Sequence, residues 1–150
     1  MNGYAQVKPD SLDAKKIVKA LTAAGVKGMD VNKLHVTLMY DKRNPDIDPK
    51  ASPEARYQAR ISGIEHLGEP GSKWEAAVLK LDCPNLVGRH MVLRTKGYEH
   101  SYPKYNCHMS IGYGTDIVKQ IPKLRKMLEQ GDFPTTIMLS GETWEPIKED

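Results

Sequence analysis

Two short segments of this chain offer the same reactive groups at the same spacing. LHVTLMY (Leu34 to Tyr40) and CHMSIGY (Cys107 to Tyr113) each hold an imidazole, then a hydroxyl, then a tyrosine. His35 answers to His108, Thr37 to Ser110, and Tyr40 to Tyr113. Side chains alternate faces along a β-strand. Leu34, Val36 and Leu38 then turn toward a core while His35 and Thr37 turn away from it. In the second segment Cys107, Met109 and Ile111 turn in, His108 and Ser110 turn out, and Gly112 leaves space beside them.

If the two strands are neighbours, two imidazoles and two hydroxyls converge on one point. That set suits phosphodiester cleavage without a metal. A neutral imidazole takes the proton of an attacking hydroxyl, and an imidazolium protonates the departing oxygen. Histidine serves in both roles because it titrates near neutrality. The Thr37 and Ser110 hydroxyls can donate to the non-bridging phosphate oxygens, where charge builds in the transition state. A single histidine on a strand is more simply a structural or surface residue, and His66, His90 and His100 are read so. It is the repetition that singles out His35 and His108. A zinc site from His35, His108 and Cys107 is a competing thought. Alternation turns Cys107 to the core, however, and no carboxylate or second cysteine completes a ligand set. Neither a metal nor a cofactor is expected.

Local signals along the chain mark the strands and helices that carry these groups. A strand over Met1 to Lys8 ends at Pro9, and Asp10 or Ser11 caps a helix with Asp13 in its first turn. Ile17, Ala20, Leu21 and Ala24 form its apolar stripe, and Gly25 supplies the left-handed stop. Lys15, Lys16 and Lys19 fall on its solvated face. Lys33 to Tyr40 is the next strand. Asp41 to Tyr57 carries three prolines and almost no large apolar residue, a long loop that is either a lid or a plain connection. Strands follow over 58–67 and 73–81, then a helix over 85–96 closed by Gly97. The second histidine strand comes next. Ile117, Ile121, Leu124 and Leu128 mark a third helix, with Pro122 at its true first turn. A last strand over 135–139 runs on into SGETWEP. The order suggests two similar α+β halves and a weak internal duplication.

A length of 150 residues gives one domain, taken as 1–150, with a real core. Hydrophobic residues at 39% and charged residues at 27% fit a globular protein and argue against a disordered one. No apolar run is long enough to span a bilayer, and the N-terminus lacks the apolar stretch of a signal peptide, so a cytoplasmic location is expected. Cys83 and Cys107 are too far apart for a CxxC pattern and read as two buried thiols. A net charge of +3 is too mild for a duplex-DNA binder and compatible with a small anionic ligand.

The HVT and HMS phrases resemble the paired H-x-T/S motifs of the two-histidine (2H) phosphoesterase superfamily, which includes RNA 2′,3′-cyclic phosphodiesterases and LigT-like proteins. The resemblance implies an α+β, bilobal fold: two pseudo-symmetric lobes of antiparallel sheet, helices outside, and a central cleft. It places His35, Thr37, His108 and Ser110 at the catalytic positions. GYAQVKP, DVNKLHVTLMY and GETWEP are further similar to the phage anti-CBASS phosphodiesterases, which destroy the cyclic di- and trinucleotide alarm signals of bacterial immunity. That likeness implies a cyclic oligonucleotide as substrate, action in the host bacterial cytoplasm, and Tyr4, Glu142 and Trp144 as ligand contacts. Alternation from Ile137 and Leu139 would turn Ser140, Glu142 and Trp144 toward the cleft. An indole or phenol there can stack on a base, and a carboxylate can accept from an exocyclic amine. For Trp144 the equal alternative is packing of a C-terminal tail onto the domain, and Trp74 is read as structural. No duplex nucleic acid, membrane or obligate protein partner is implied. The rival readings are a 2H enzyme acting on RNA 2′,3′-cyclic phosphates or 2′–5′ linkages, and a sponge that binds a cyclic nucleotide without cutting it. A plain RNA-binding module would need a broader basic surface than Lys123, Arg125 and Lys126 supply.

Overall fold

The alternation in YAQVKP builds the first strand, β1 (Tyr4–Pro9), with Ala5 and Val7 fully buried. The computed structural model describes residues 2–148. Helix α1 (Ser11–Ala23) follows and buries Ala14, Ile17, Ala20 and Leu21. Gly25 takes φ +85°, the left-handed turn that ends it. Asp10 stands at the cap position, but its carboxylate pairs with Arg56 at 2.7 Å and makes no capping hydrogen bond. A 3₁₀ turn (Val31–Lys33) leads into β2 (Val36–Tyr40). Then come β3 (Tyr57–Leu67), β4 (Ala76–Asp82), α2 (Pro84–Thr95) and β5 (His108–Tyr113).

The single third helix expected from the periodicity is two, α3 (Thr115–Val118) and α4 (Ile121–Glu129). Pro122 is the reason: its ring nitrogen cannot donate to the carbonyl one turn back, so it tolerates only a first-turn position. Strand β6 (Thr136–Glu145) closes the chain. Among the described residues no helix is long and apolar enough to cross a membrane.

The fold is α+β, and every strand pair is antiparallel. Two strand–helix–strand units repeat, β1–α1–β2 and β4–α2–β5, and each ends on a strand that carries or adjoins a histidine motif. The strands do not form two separate sheets. They close into one ring in the order β1-β2-β5-β4-β3-β6. The two units meet where β2 joins β5, and that join is the single pair Val36–Met109.

So short a join leaves backbone groups of β2 without a strand partner, and side chains take over. His90 is fully buried, and its Nδ1 donates to the Leu38 carbonyl at 2.7 Å. The Tyr105 hydroxyl donates to the Thr37 carbonyl at 2.7 Å. The Tyr40 amide donates to His100 Nδ1 at 3.1 Å. His90 and Tyr105 stack at 4.0 Å, with His100 edge-on to both. Arg94 Nε donates to His90 Nε2, so both nitrogens of that ring are engaged and the ring is neutral.

This brace makes stability depend on pH. Burial, the nearby His90 and Arg94 together push His100 down to about 4. Burial also lowers His90. In the unfolded chain a histidine takes up its proton near pH ~6.5, so the unfolded state binds more protons below that point. Stability is therefore full above pH ~6.5 and is lost as pH falls toward about 4. The melting temperature should drop across this window. His100→Asn keeps an acceptor for the Tyr40 amide but cannot be protonated, so its profile should be flatter. A slope identical to the parent protein's would remove His100 from the account.

The loop over 41–56 is fastened down rather than free. The buried Asp41 carboxylate accepts from the Arg43 side chain and from the Glu99 amide. Arg89 donates to the carbonyls of Pro49 and Lys50, and the Tyr98 hydroxyl donates to that of Ile47.

Candidate active site

The Val36–Met109 pair fixes how the two histidine phrases face each other. Carried one residue either way, antiparallel register sets His35 opposite Ser110 and Thr37 opposite His108, all on the face away from the core. His35, Thr37, His108 and Ser110 are half-buried, while Leu34, Val36, Leu38, Cys107, Met109 and Ile111 are buried behind them. The alternation expected from the sequence thus holds on both strands. The two histidines are diagonal neighbours, a relation that puts backbone positions roughly 7–8 Å apart. Imidazoles on such positions can reach one atom lying between them.

The two rings are held alike. His35 Nδ1 lies 2.9 Å from the Lys33 carbonyl, and His108 Nδ1 lies 2.9 Å from the Asn106 carbonyl, in each case two residues back. A carbonyl only accepts, so Nδ1 carries the proton in both neutral rings. Nε2 has no hydrogen-bond partner among the described residues on either ring. Each ring can then take a proton at Nε2 when neutral or give one when charged. The carbonyl two residues back fixes the tautomer of each ring.

Strand β1 completes the face. Its register with β2 places Gln6 beside Thr37, and the pair Val7–Val36 carried one residue further sets Lys8 beside His35. The Tyr4 hydroxyl donates to Gln6 Oε1 at 3.1 Å and lies 3.5 Å from Thr37 Oγ1. Burial raises the Tyr4 phenol above its ordinary value, so the hydroxyl stays protonated. On the far side of β5, Lys80 pairs with His108. Each histidine therefore has a lysine toward the outer neighbouring strand, one in each of the two strand–helix–strand units.

A groove of about 630 Å³ opens on this face. His35 and Ser110 form part of its wall, with Gln6 and Lys8 from β1 and the segment over 27–33. Thr37 and His108 are in the adjoining row and do not line it. Part of the space beside Gly112 is taken by Ile117, which a β-carbon there would meet at 2.7 Å. No residue of the 41–56 loop lines the groove. Among the described residues no three His, Cys, Asp or Glu side chains gather where they could hold a metal ion. Cys83 and Cys107 are free and buried.

Strand β6 differs from the expectation. Glu142 and Trp144 do not share the face of Tyr4. Gly141 takes φ +74°, and between the pairs Gln6–Thr143 and Lys8–Ser140 strand β6 advances one residue more than β1. This bulge reverses the phase of the strand. Trp144 pairs with Ala5 on the core side, and Thr143 and Glu145 come to the side of Gln6 and Tyr4. A glycine inside a strand pattern is the available sequence signal for such a slip.

Glu142 is instead the centre of a buried ion pair. Its carboxylate receives Arg89 Nε and Nη2, each at 2.9 Å, and Trp144 Nε1 at 2.8 Å. The Ser52 amide, from the long loop, adds a fourth donor at 3.3 Å. Burial works against the charge, but Arg89, Trp144 and the Ser52 amide together hold the carboxyl below its ordinary value. The indole packs on Tyr98, ring centres 5.0 Å apart. Trp74 is 66% exposed, with Lys73 over its ring, and is not a core residue.

Removing Arg89 would leave the fully buried Glu142 carboxylate unpaired. Arg89→Ala should cost about 3–5 kcal/mol, the usual loss when one member of a buried pair is deleted. Urea unfolding measures it; a loss within about 1 kcal/mol, as for an exposed pair, would contradict the geometry.

Sequence reasoning missed Gln6, Lys8 and the 27–33 segment. Gln6 and Lys8 were legible, since they share the period of Tyr4. The segment was not, because its place beside His35 depends on how the chain returns from α1.

The model of a protein family described as anti-CBASS protein Acb1 matches residues 2–150. An anti-CBASS protein Acb1 of Vibrio phage KVP40 is 28% identical over 111 residues, 73% of this chain and 71% of the phage protein.

Proposed function

The chain belongs to the anti-CBASS protein Acb1 family, and from that premise we propose that it is a metal-independent phosphodiesterase of the 2H kind. It cuts 3′–5′ linkages in the cyclic di- and trinucleotide messengers of bacterial immunity, and so serves counter-defence in the host cytoplasm. Residues 1–150 form one 2H phosphoesterase domain, whose lobes are the two halves of the strand ring. The observation that supports this best is the pair of imidazoles at the starts of two adjoining antiparallel strands, His35 just before β2 and His108 opening β5, each held by the carbonyl two residues back.

One histidine, neutral, accepts through Nε2 the proton of the ribose 2′-hydroxyl beside the scissile phosphate. The oxygen attacks phosphorus, the P–O5′ bond breaks, and the other histidine delivers its Nε2 proton to the leaving 5′-oxygen. The product is linear with a 2′,3′-cyclic phosphate end. Water opens that ring with the histidine roles exchanged. Thr37 and Ser110 donate to the non-bridging oxygens. Tyr4, through Gln6 and its approach to Thr37, orients the first hydroxyl and borders the ligand.

The protein mixed with a cyclic dinucleotide in EDTA, then heated and chromatographed, tests this. Linear product is expected. Release of intact ring would make the protein a sponge. Turnover confined to RNA ends with 2′,3′-cyclic phosphates, or to 2′–5′ linkages, would move it elsewhere in the superfamily.

A further inference from the structure

We propose that the groove beside His35 is a second anion subsite, in which Lys27 and Lys33, with Lys8, take the non-scissile phosphate of a cyclic dinucleotide. The inference rests on the phosphodiesterase reading and adds to it the means by which a ligand with two phosphates is held.

The groove has the charge for it. Its wall carries Lys8, Lys27 and Lys33 and, among the described residues, no acidic one. Among the described residues no carboxylate lies in ion-pair range of any of these three ammonium groups. Three like charges facing one space repel one another, and an anion between them relieves that repulsion.

Two of the three groups are also positioned. Lys33 Nζ donates to the Gly28 carbonyl at 2.8 Å, and Lys8 Nζ donates to the Asn32 carbonyl at 3.3 Å. Both bonds hold the lysines to the 27–33 segment without neutralising them. An ammonium has three donors, so each of these retains two for a ligand. The segment is itself shaped locally: the Asp30 carboxylate accepts from the Asn32 amide at 2.9 Å and starts the 3₁₀ turn. Gly28, at φ +86°, makes the reversal before it.

The location then selects the ligand. The lysines share one groove with His35 and Ser110, which in the proposed mechanism face the scissile phosphate. A phosphodiester one ribose away along a small ring reaches them while the first stays between the histidines. A volume of about 630 Å³ falls within the range of sites for compact small molecules.

Binding of a cyclic dinucleotide built on 2′-deoxyribose, which lacks the nucleophile, isolates affinity from chemistry. Lys27→Ala combined with Lys33→Gln removes two charges, and the glutamine keeps a donor for the Gly28 carbonyl. Its Kd should rise roughly ten- to hundredfold, the worth of one or two charge-assisted hydrogen bonds. On the ribose substrate KM should rise with kcat changed less than about threefold, the pattern of lost ground-state binding. Lys27→Ala alone, which disturbs no hydrogen bond of the fold, should shift Kd in the same direction by a smaller factor. Lys15→Ala combined with Lys16→Ala makes the same charge change on the exposed face of α1 and should leave Kd within about twofold. A groove variant that binds as the parent protein does, or that loses no more than the α1 control, overturns the subsite while cleavage by the parent leaves the phosphodiesterase reading intact. A parent protein that neither binds nor cuts the ring ends both.

Discussion

His35→Ala and His108→Ala should each lower the rate of cyclic dinucleotide cleavage by roughly 10²–10⁴-fold, the span that a positioned general acid or base contributes. The double variant should be scarcely slower than either single one. In the proposed mechanism the rings act in one proton transfer across one phosphorus, and removing either disables the route that uses both. Stability should change little, because both side chains are half-buried on the face away from the core and each makes a single hydrogen bond to a nearby carbonyl. Single-turnover rates beside melting temperatures separate the two effects. Losses that multiply in the double variant would mean that the residues act independently. Since the proposed step needs one ring neutral and the other charged, the rate should also rise and then fall with pH. Its two limbs belong to the pair and not to either residue.

A substrate with 2′-deoxyribose at the scissile position should not be cut at all within the range of an ordinary assay. A nucleophile held beside its target acts at an effective concentration of about 10⁵–10⁸ M, and water at the same place does not replace it. A mixed ring, ribose on one side and deoxyribose on the other, should open only at the phosphate next to the ribose. It should do so through a transient 2′,3′-cyclic phosphate. Cleavage of the all-deoxy ring at the normal rate would exclude the ribose hydroxyl and require water to attack directly. The same compound reports binding at the lysine groove, so one ligand separates recognition from chemistry.

The two imidazoles and two hydroxyls could be read from the chain, as could the side of each histidine segment on which they lie. Alternation is a local property of an extended backbone: once Leu34, Val36 and Leu38 are buried, His35 and Thr37 must face the other way, and Cys107 to Ile111 obey the same rule. Pro122 and Gly25 announced their turns for equally local reasons, a missing amide hydrogen and a missing side chain. Family resemblance through HVT and HMS is likewise a matter of a few neighbouring residues.

What depends on segments distant in sequence had to wait for the tertiary structure. The Val36–Met109 pair decides that the two imidazoles are diagonal neighbours, and nothing in either phrase fixes that register. The brace of His90, His100 and Tyr105 exists because β2 runs out of strand partners, a condition set by the join and not by those residues. The extra residue at Gly141 turned Glu142 and Trp144 from the expected ligand face to a buried pair with Arg89, since one inserted residue inverts a period of two. Lysines of the 27–33 segment come to His35 only through the path of the chain after α1. Periodicity is written in neighbouring residues; register and juxtaposition are settled by hydrogen bonds and packing between strands that the sequence keeps far apart.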